Sequence, residues 1–241
     1  MRAGLLFFLV VEGLYWLGVK LSHGMFLEYL PPEMRGTFAA ALTPEVGNLG
    51  ALFLHQRHFS FGPGTPRPWP ATMDLGTLLT ATSGVLNLFV MASANFQARA
   101  GGRLRGRAPQ PAYFALCAWL VPGLGHLVQG RRRRALLAGV ALVGLFVLGT
   151  SLAQGSNLDR ERHFYYWSGQ FLLGLPAVIA ELLHGHAPVT SNIAYADGGV
   201  VIACLAGMLN VLCMLDVYSW SEDRLFANPD AGAVPAEVGA G

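Results

Sequence analysis

Long apolar runs alternate with short polar breaks along most of the chain. Runs of helical character cover about residues 4–22, 36–55, 72–94, 135–153, 164–184 and 194–218. Each approaches or reaches the roughly 20 residues that cross a bilayer as an α-helix. A seventh run, 111–129, reads PAYFALCAWLVPGLGHLVQ and contains Pro122, Gly123 and Gly125. Pro removes a backbone donor and Gly loosens a helix, so a break is expected there. Segment 56–71, rich in Pro, Gly and Arg, reads as a loop, and the polar tail from Ser221 onward reads as disordered. The pattern predicts an all-α, polytopic integral membrane protein. It has six transmembrane helices plus one broken or re-entrant helix, or seven spans if that helix crosses.

The pattern also repeats. DLGTLLTATSGVLN, from Asp74 to Asn87, and DGGVVIACLAGMLN, from Asp197 to Asn210, share Asp, Gly, Gly, Leu and Asn at the same offsets. Met91 and Met214 follow at matched positions. GLYWLGVKL (Gly13–Leu21) likewise matches GLFVLGTSL (Gly144–Leu152), 131 residues apart against 123 for the first pair. Two matched blocks in the same order predict a fused tandem of one three-helix unit. The boundaries are a first repeat at 1–95, an Arg-rich linker with the Pro-Gly broken helix at 96–134, a second repeat at 135–220 and a tail at 221–241. Arginines cluster between Arg99 and Arg107 and at Arg131–Arg134, on both sides of run 111–129. The positive-inside rule places both clusters in the cytoplasm. That makes 111–129 a hairpin, with six full spans, inverted halves and an external N-terminus. The rival arrangement lets 111–129 cross and keeps the halves parallel. The hairpin is favoured.

Composition agrees. The chain is 53% hydrophobic and 12% charged, with mean hydropathy +0.44, and a soluble domain of this length needs more surface charge. Richness in Ala, Gly and Arg points to a bacterium and so to its inner membrane. The N-terminus reads as a retained first span, because its long apolar stretch contains Glu12 and no A-x-A site follows. Cys117, Cys204 and Cys213 lie in apolar runs without paired spacing and read as buried small hydrophobes.

Candidate functional residues are few. Gly76, Thr80, Gly84, Asn87 and Met91 share one helix face, as do Gly199, Ala203, Gly207, Asn210 and Met214. Small residues at every fourth position let helix backbones approach closely. The two faces are expected to form a packing seam on a pseudo-two-fold axis, with Asn87 and Asn210 hydrogen-bonding across it. Asp74 and Asp197 stand where a carboxylate meets the positive end of a helix. Glu12 lies near the middle of the first span, where an ionised group is expensive, so it is the candidate intramembrane polar site. Glu45 and Glu181 are weaker candidates, each within reach of an interface. His55-x-x-His58 and His184-x-His186 differ in spacing and lack companion ligands, so they read as interfacial caps. No GxSxG, HExxH or phosphate loop is present, and no catalytic residue, metal or cofactor is expected. Arg103, Arg105, Arg131, Arg132, Arg133 and Arg134 read as anchors on anionic lipid headgroups, not as a nucleic-acid patch.

AWLVPGLGHLVQGRRRRALLAGVALVGLFVLG (Ala118–Gly149) resembles a group of uncharacterised bacterial membrane proteins. These carry a WLxPGxGHLxxG turn followed by a basic cluster and a Gly-rich span. The turn is similar to the GxHxFYLG turn of TM2-type membrane domains. The same group ends in a helix of the type AGLLNxLxxLDAY, and AGMLNVLCMLDVY (Ala206–Tyr218) stands here. The resemblance covers about 112–218. The first half looks like a second copy without the PGxGHL element and the terminal LDxY; ASAN occupies Ala92–Asn95. Where members usually carry a basic end, this chain has SEDR. The resemblance implies a membrane location and a helical fold, and transfers no catalytic residue. Together these readings predict a non-catalytic accessory or scaffold subunit of a bacterial membrane complex. Its partners are lipids and other membrane subunits. The alternative is a small transporter or channel built around Glu12.

Overall fold

The computed structural model describes residues 2–30, 42–48, 68–101, 109–184 and 193–227. Among them are eight α-helices and no strand. They are α1 (Arg2–Leu21), α2 (Met73–Ala100), α3 (Pro111–Leu120), α4 (Leu124–Val128), α5 (Arg132–Leu152), α6 (Arg160–Phe171), α7 (Leu175–His184) and α8 (Ala196–Ala227). Short 3-10 turns cover Pro44–Asn48 and Ser156–Leu158. Among the described residues α2, α5 and α8 are long and apolar enough to cross a membrane. Their surface is that of a lipid-facing protein. On α5, Leu136, Leu137 and Val140 are 68%, 70% and 66% exposed, whereas Thr77, Thr80, Ser83 and Asn210 are fully buried. Apolar side chains outward and hydrogen-bonded polar ones inward is the arrangement a hydrocarbon solvent selects.

The helix ends sort into two sets. At one end, Arg99 of α2 pairs with Glu222 of α8 at 2.5 Å, and Arg131 and Arg134, around the start of α5, pair with Asp216 of α8 at 2.7 and 3.3 Å. The start of α3 belongs there too, since Ser93 of α2 donates to the Gln110 side chain. At the other end, the Thr72 hydroxyl before α2 donates to the Leu21 carbonyl of α1 at 2.6 Å. Arg160, heading α6, donates to the Asp74 carbonyl of α2 at 3.0 Å. So α1 and α5 both start at the Arg-rich end, and α2 and α8 both finish there.

Two expectations do not fit this arrangement. Helices α1 and α5, which carry the matched Gly13–Leu21 and Gly144–Leu152 blocks, run in the same sense, which inverted halves would not allow. Run 164–184 is not one crossing helix either. It breaks after α6, and Gly174 takes φ +83 at the break. The chain then returns through α7, until His184 reaches Gly155 beside the end of α5. Thus α6–α7 is a helical hairpin. The chain between α1 and α2 also leaves and returns at one end; most of run 36–55 lies outside the described residues. The expected break in 111–129 falls at Val121–Gly123. Val121 is extended (φ −138°, ψ 120°), as a residue preceding Pro must be, and Gly123 takes φ +85.

The same local geometry recurs 131 residues apart. His23 and Gln154 take φ 52 and 50, and Gly24 and Gly155 follow at 77 and 84. Gly24 N–H donates to Val19 O at 2.8 Å and Gly155 N–H to Thr150 O at 3.0 Å. Each is a left-handed cap that satisfies the last carbonyls of its helix. The glycine contacts recur too. A Cβ on Gly76 would lie 2.6 Å from Ser22 N, and one on Gly199 would lie 2.5 Å from Ala153 N. A Cβ on Gly84 would lie 2.7 Å from Glu45 Cα, and one on Gly207 would lie 2.9 Å from Gln170 Cα.

The small-residue faces therefore pack within each half, against α1 and Pro44–Asn48 in one and against α5 and α6 in the other. They do not form the expected seam with each other. The α2 and α8 helices touch near their C-terminal ends, where Tyr218 donates to Ala92 O at 3.3 Å and Phe96 meets Phe226. The polar tail expected from Ser221 continues as helix to Ala227; residues 228–241 lie outside the description.

Candidate functional site

Three polar centres lie inside this framework. The first joins the two hairpins. The tip of α3 meets the tip of α6–α7, and a Cβ on Gly174 would collide with the Trp119 carbonyl. Asn210, midway along α8, donates to Ala118 O at 3.1 Å and to Leu172 O at 3.0 Å, clamping both tips. It does not reach Asn87, contrary to expectation. Six residues separate Asn210 from Asp216, so the junction lies about 9 Å along the helix from the Arg-rich end. Two buried polar atoms there, Trp119 Nε1 and Asn210 Oδ1, have no hydrogen-bond partner among the described residues. Such atoms are rare in native interiors and call for water or a ligand.

The second centre is a stripe on α2. Thr80 donates to Glu45 Oε1 at 2.9 Å, and Asn48 donates to Ser83 Oγ at 2.9 Å. Asn87 donates to Gly47 O at 2.7 Å and to Asn48 Oδ1 at 3.0 Å. Ser83 donates to Val11 O of α1 at 2.8 Å. These bonds hold the Pro44–Asn48 turn against α2, where Gly84 leaves room for its backbone. Glu45 is 0% exposed, and its Oε2 has no partner among the described residues. Glu12, the candidate from sequence, is only half-buried and makes no hydrogen bond or ion pair among the described residues. The apolar surroundings of Pro44 hid Glu45.

The third centre lies at the Arg-rich end and unites the two resembled motifs. His126 Nε2 lies 3.0 Å from Asp216 Oδ2, and Arg131 shares that carboxylate. Gln129 donates to Val217 O at 2.6 Å. The PGxGHL turn is thereby fastened to the LDxY helix end. Arg132, Arg133 and Arg134 point outward, as lipid anchors would, and the Arg131 guanidinium lies 5.2 Å from the Trp220 ring centroid. Arg103, Arg105, His55, His58 and His186 lie outside the described residues. Asp216→Ala is expected to cost about 1–2 kcal/mol, because buried His126 and the mostly buried Arg131 lose their carboxylate while the exposed Arg134 loses little. His126→Ala should then add much less than it costs alone, a coupling readable by thermal unfolding in detergent. Additive losses would refute the link.

A fourth set, at the opposite end, is a buried ion pair. Arg160 bonds Glu181 of α7, with side chains only 1% and 4% exposed. Trp167 Nε1 donates to the other Glu181 oxygen at 3.0 Å, and the guanidinium lies 4.2 Å from the Trp167 ring. Tyr29 donates to the Asp74 carboxylate beside it. Asp74 thus sits in the first turn of α2, as expected, and also serves the junction between halves. Between α2, α3 and α8 an apolar cleft of about 400 Å³ opens, with Thr43, Pro44, Ser168 and Leu172 in its walls. No group of three His, Cys, Asp or Glu able to hold a metal occurs among the described residues.

No curated protein and no solved structure matches the chain. Residues 113–228, the segment from the α3 hairpin to the end of α8, match the model of a family of unknown function, DUF6677.

Proposed function

We propose that the protein is a small transporter or channel of the bacterial inner membrane, made of two tandem units in one orientation. Four helices, α1, α2, α5 and α8, cross the bilayer, and the Arg-rich end with the N-terminus faces the cytoplasm. The recurring left-handed caps and glycine contacts support the duplication, and the positive-inside rule supports the orientation. One observation carries the function. The α3–α4 and α6–α7 hairpins come from opposite ends and meet at Trp119 and Gly174, where two buried polar atoms have no hydrogen-bond partner among the described residues. Broken helices of this kind bind solutes and ions in transporters, whereas a purely structural bundle has no need to break its helices within lipid.

The test is accessibility. In a variant with Cys117, Cys204 and Cys213 replaced by Ala, Leu172→Cys should react with a membrane-impermeant thiol reagent in sealed vesicles. Labelling from neither side, with the same site reactive after denaturation, would refute a path through the junction.

The accessory-subunit reading has one observation of its own. Along α7 the side chains of Ile179, Leu182 and Leu183 are 51%, 62% and 81% exposed. A neighbouring subunit's helix would fit this face as well as lipid does. A stoichiometric partner recovered from native membranes in mild detergent, and lost in Leu183→Arg, would favour that reading.

A further inference from the structure

We propose that Glu45 is a proton-binding site inside the first unit, loading and releasing H⁺ during the protein's working cycle. The coupling rests on the transport reading; the bound proton does not.

Place comes first. Glu45 rides on the Pro44–Asn48 turn at the level of Gly84, ten residues beyond Asp74. That is about 15 Å along α2, half the thickness of a bilayer's hydrocarbon core. A bare carboxylate at that depth is expensive unless a cation or several donors face it.

The neighbours come next. Tyr15 approaches from α1, with Glu12 on its far side, Thr80 from α2, and Thr43 from just before the turn. The cation whose field reaches Glu45 is Arg160, and Arg160 is already committed to Glu181. Glu45 therefore has hydroxyl neighbours and no counter-ion of its own among the described residues. Its second oxygen, Oε2, is buried and has no hydrogen-bond partner among the described residues. A proton on that oxygen removes the charge that the site cannot otherwise offset.

The two halves provide the contrast. A Cβ on Gly84 would meet Pro44 O and Glu45 Cα, and one on Gly207 would meet Gly169 O and Gln170 Cα, which sets Glu45 opposite Gln170, a neutral amide bonded to Asn157, in the second half. There the buried carboxyl comes instead from Glu181, and both the Trp167 indole and Arg160 satisfy it. So one half fixes its carboxylate with a permanent cation, and the other leaves its carboxyl free to exchange. A route is present: Thr43, Pro44 and Val46, on either side of Glu45, form one wall of the apolar cleft that extends to Ser168 and Leu172.

The experiment uses the full chain in lipid nanodiscs near neutral pH. Infrared difference spectra of wild type against Glu45→Gln should contain a protonated-carboxyl C=O band that shifts in D₂O. Glu45→Asp, which keeps an acid, should move the band without abolishing it. In parallel, the hydrophobic reagent dicyclohexylcarbodiimide is added. A protonated carboxyl adds across its N=C=N bond and rearranges to a stable N-acylurea, so the peptide gains the whole reagent and nothing leaves. The adduct should map to Glu45, and its rate should fall at least ~tenfold as pH rises, because the ionised form does not add. Replacing choline by sodium at fixed pH should leave the rate unchanged.

Absence of the Glu45-dependent band overturns the proposal whether or not the reagent reaches the site. Suppression of labelling by sodium also overturns it, and makes the site one for a metal cation. A band and adduct in a protein whose Leu172→Cys is inaccessible would sink the transport reading and leave the proton site standing.

Discussion

Gly174→Ala is expected to destabilise the protein by about 3–5 kcal/mol, at the exceptional end of single-substitution effects. Two terms add. Gly174 holds φ +83, a conformation that costs an L-residue roughly 1–2 kcal/mol. The new Cβ would also collide with the Trp119 carbonyl, a backbone atom that cannot move without unseating the α3 hairpin. The strain then reaches Asn210, whose two hydrogen bonds clamp both tips. Gly144→Ala is the control, because a Cβ there meets nothing within 4 Å. It lies in the interior of α5, where alanine favours helix by up to about 1 kcal/mol over glycine. Reversible unfolding in bicelles reads both. Equal effects at the two glycines would mean that the hairpins do not meet.

Arg160→Met comes second, with an expected loss of about 3–5 kcal/mol. The substitution strands Glu181, 3% exposed, with the Trp167 indole N–H as its one remaining partner among the described residues. It also removes the bond to the Asp74 carbonyl, which ties the second half to the first. Glu181→Leu alone should be similarly harmful, because it strands the guanidinium. The double variant Arg160→Met/Glu181→Leu should recover much of the loss, since packing can replace a buried pair but not half of one. A double-mutant cycle with no coupling would count against the pair as drawn.

The helical class and the break at Pro122-Gly123 were legible because Pro and Gly interrupt backbone hydrogen bonding wherever they fall. The break at Leu172–Gly174 carried the same marks, Gly174 and Pro176, and Pro176 reads as a helix breaker. The return of the chain was not legible, because FLLGLPAV keeps its hydropathy across the turn and a window of apolar residues cannot tell a crossing helix from one that turns back. Counting that run as a span forced the halves into opposite senses once 111–129 was made a hairpin. With α6–α7 a hairpin, Arg99 and Arg131–Arg134 lie at one end and α1 and α5 run in the same sense.

The candidate site divides in the same way. The faces carrying Gly76, Gly84, Gly199 and Gly207 could be seen on a helical wheel, but a stripe of small residues does not name its partner. Here the partners are α1, α5 and the two broken segments, and Asn87 and Asn210 bond to carbonyls of the Pro44–Asn48 turn and of the hairpin tips instead of to each other. Glu12 drew attention because it falls mid-run, yet depth in a run does not determine burial. Glu45 stands beside a helix-breaking Pro and was read as near an interface, although the broken turn carries it into the interior. SEDR resembled a tail by composition; Glu222 instead finds Arg99, and Phe226 finds Phe96, so the helix continues.

The junction of the hairpins also imposes an order on biosynthesis. Gly174 follows Gly123 by 51 residues, and Asn210 comes later still. When the ribosome has delivered only α3, α4 and α5, the carbonyls of Ala118 and Trp119 have neither the clamp nor the opposing tip they will later meet. Bare carbonyls in hydrocarbon cost several kcal/mol, so the young hairpin stays at headgroup depth, moored by the Arg runs on either side. In the proposed topology it is expected to sink to its final place after α8 has crossed, which makes the last step of maturation the docking of a segment made midway through synthesis.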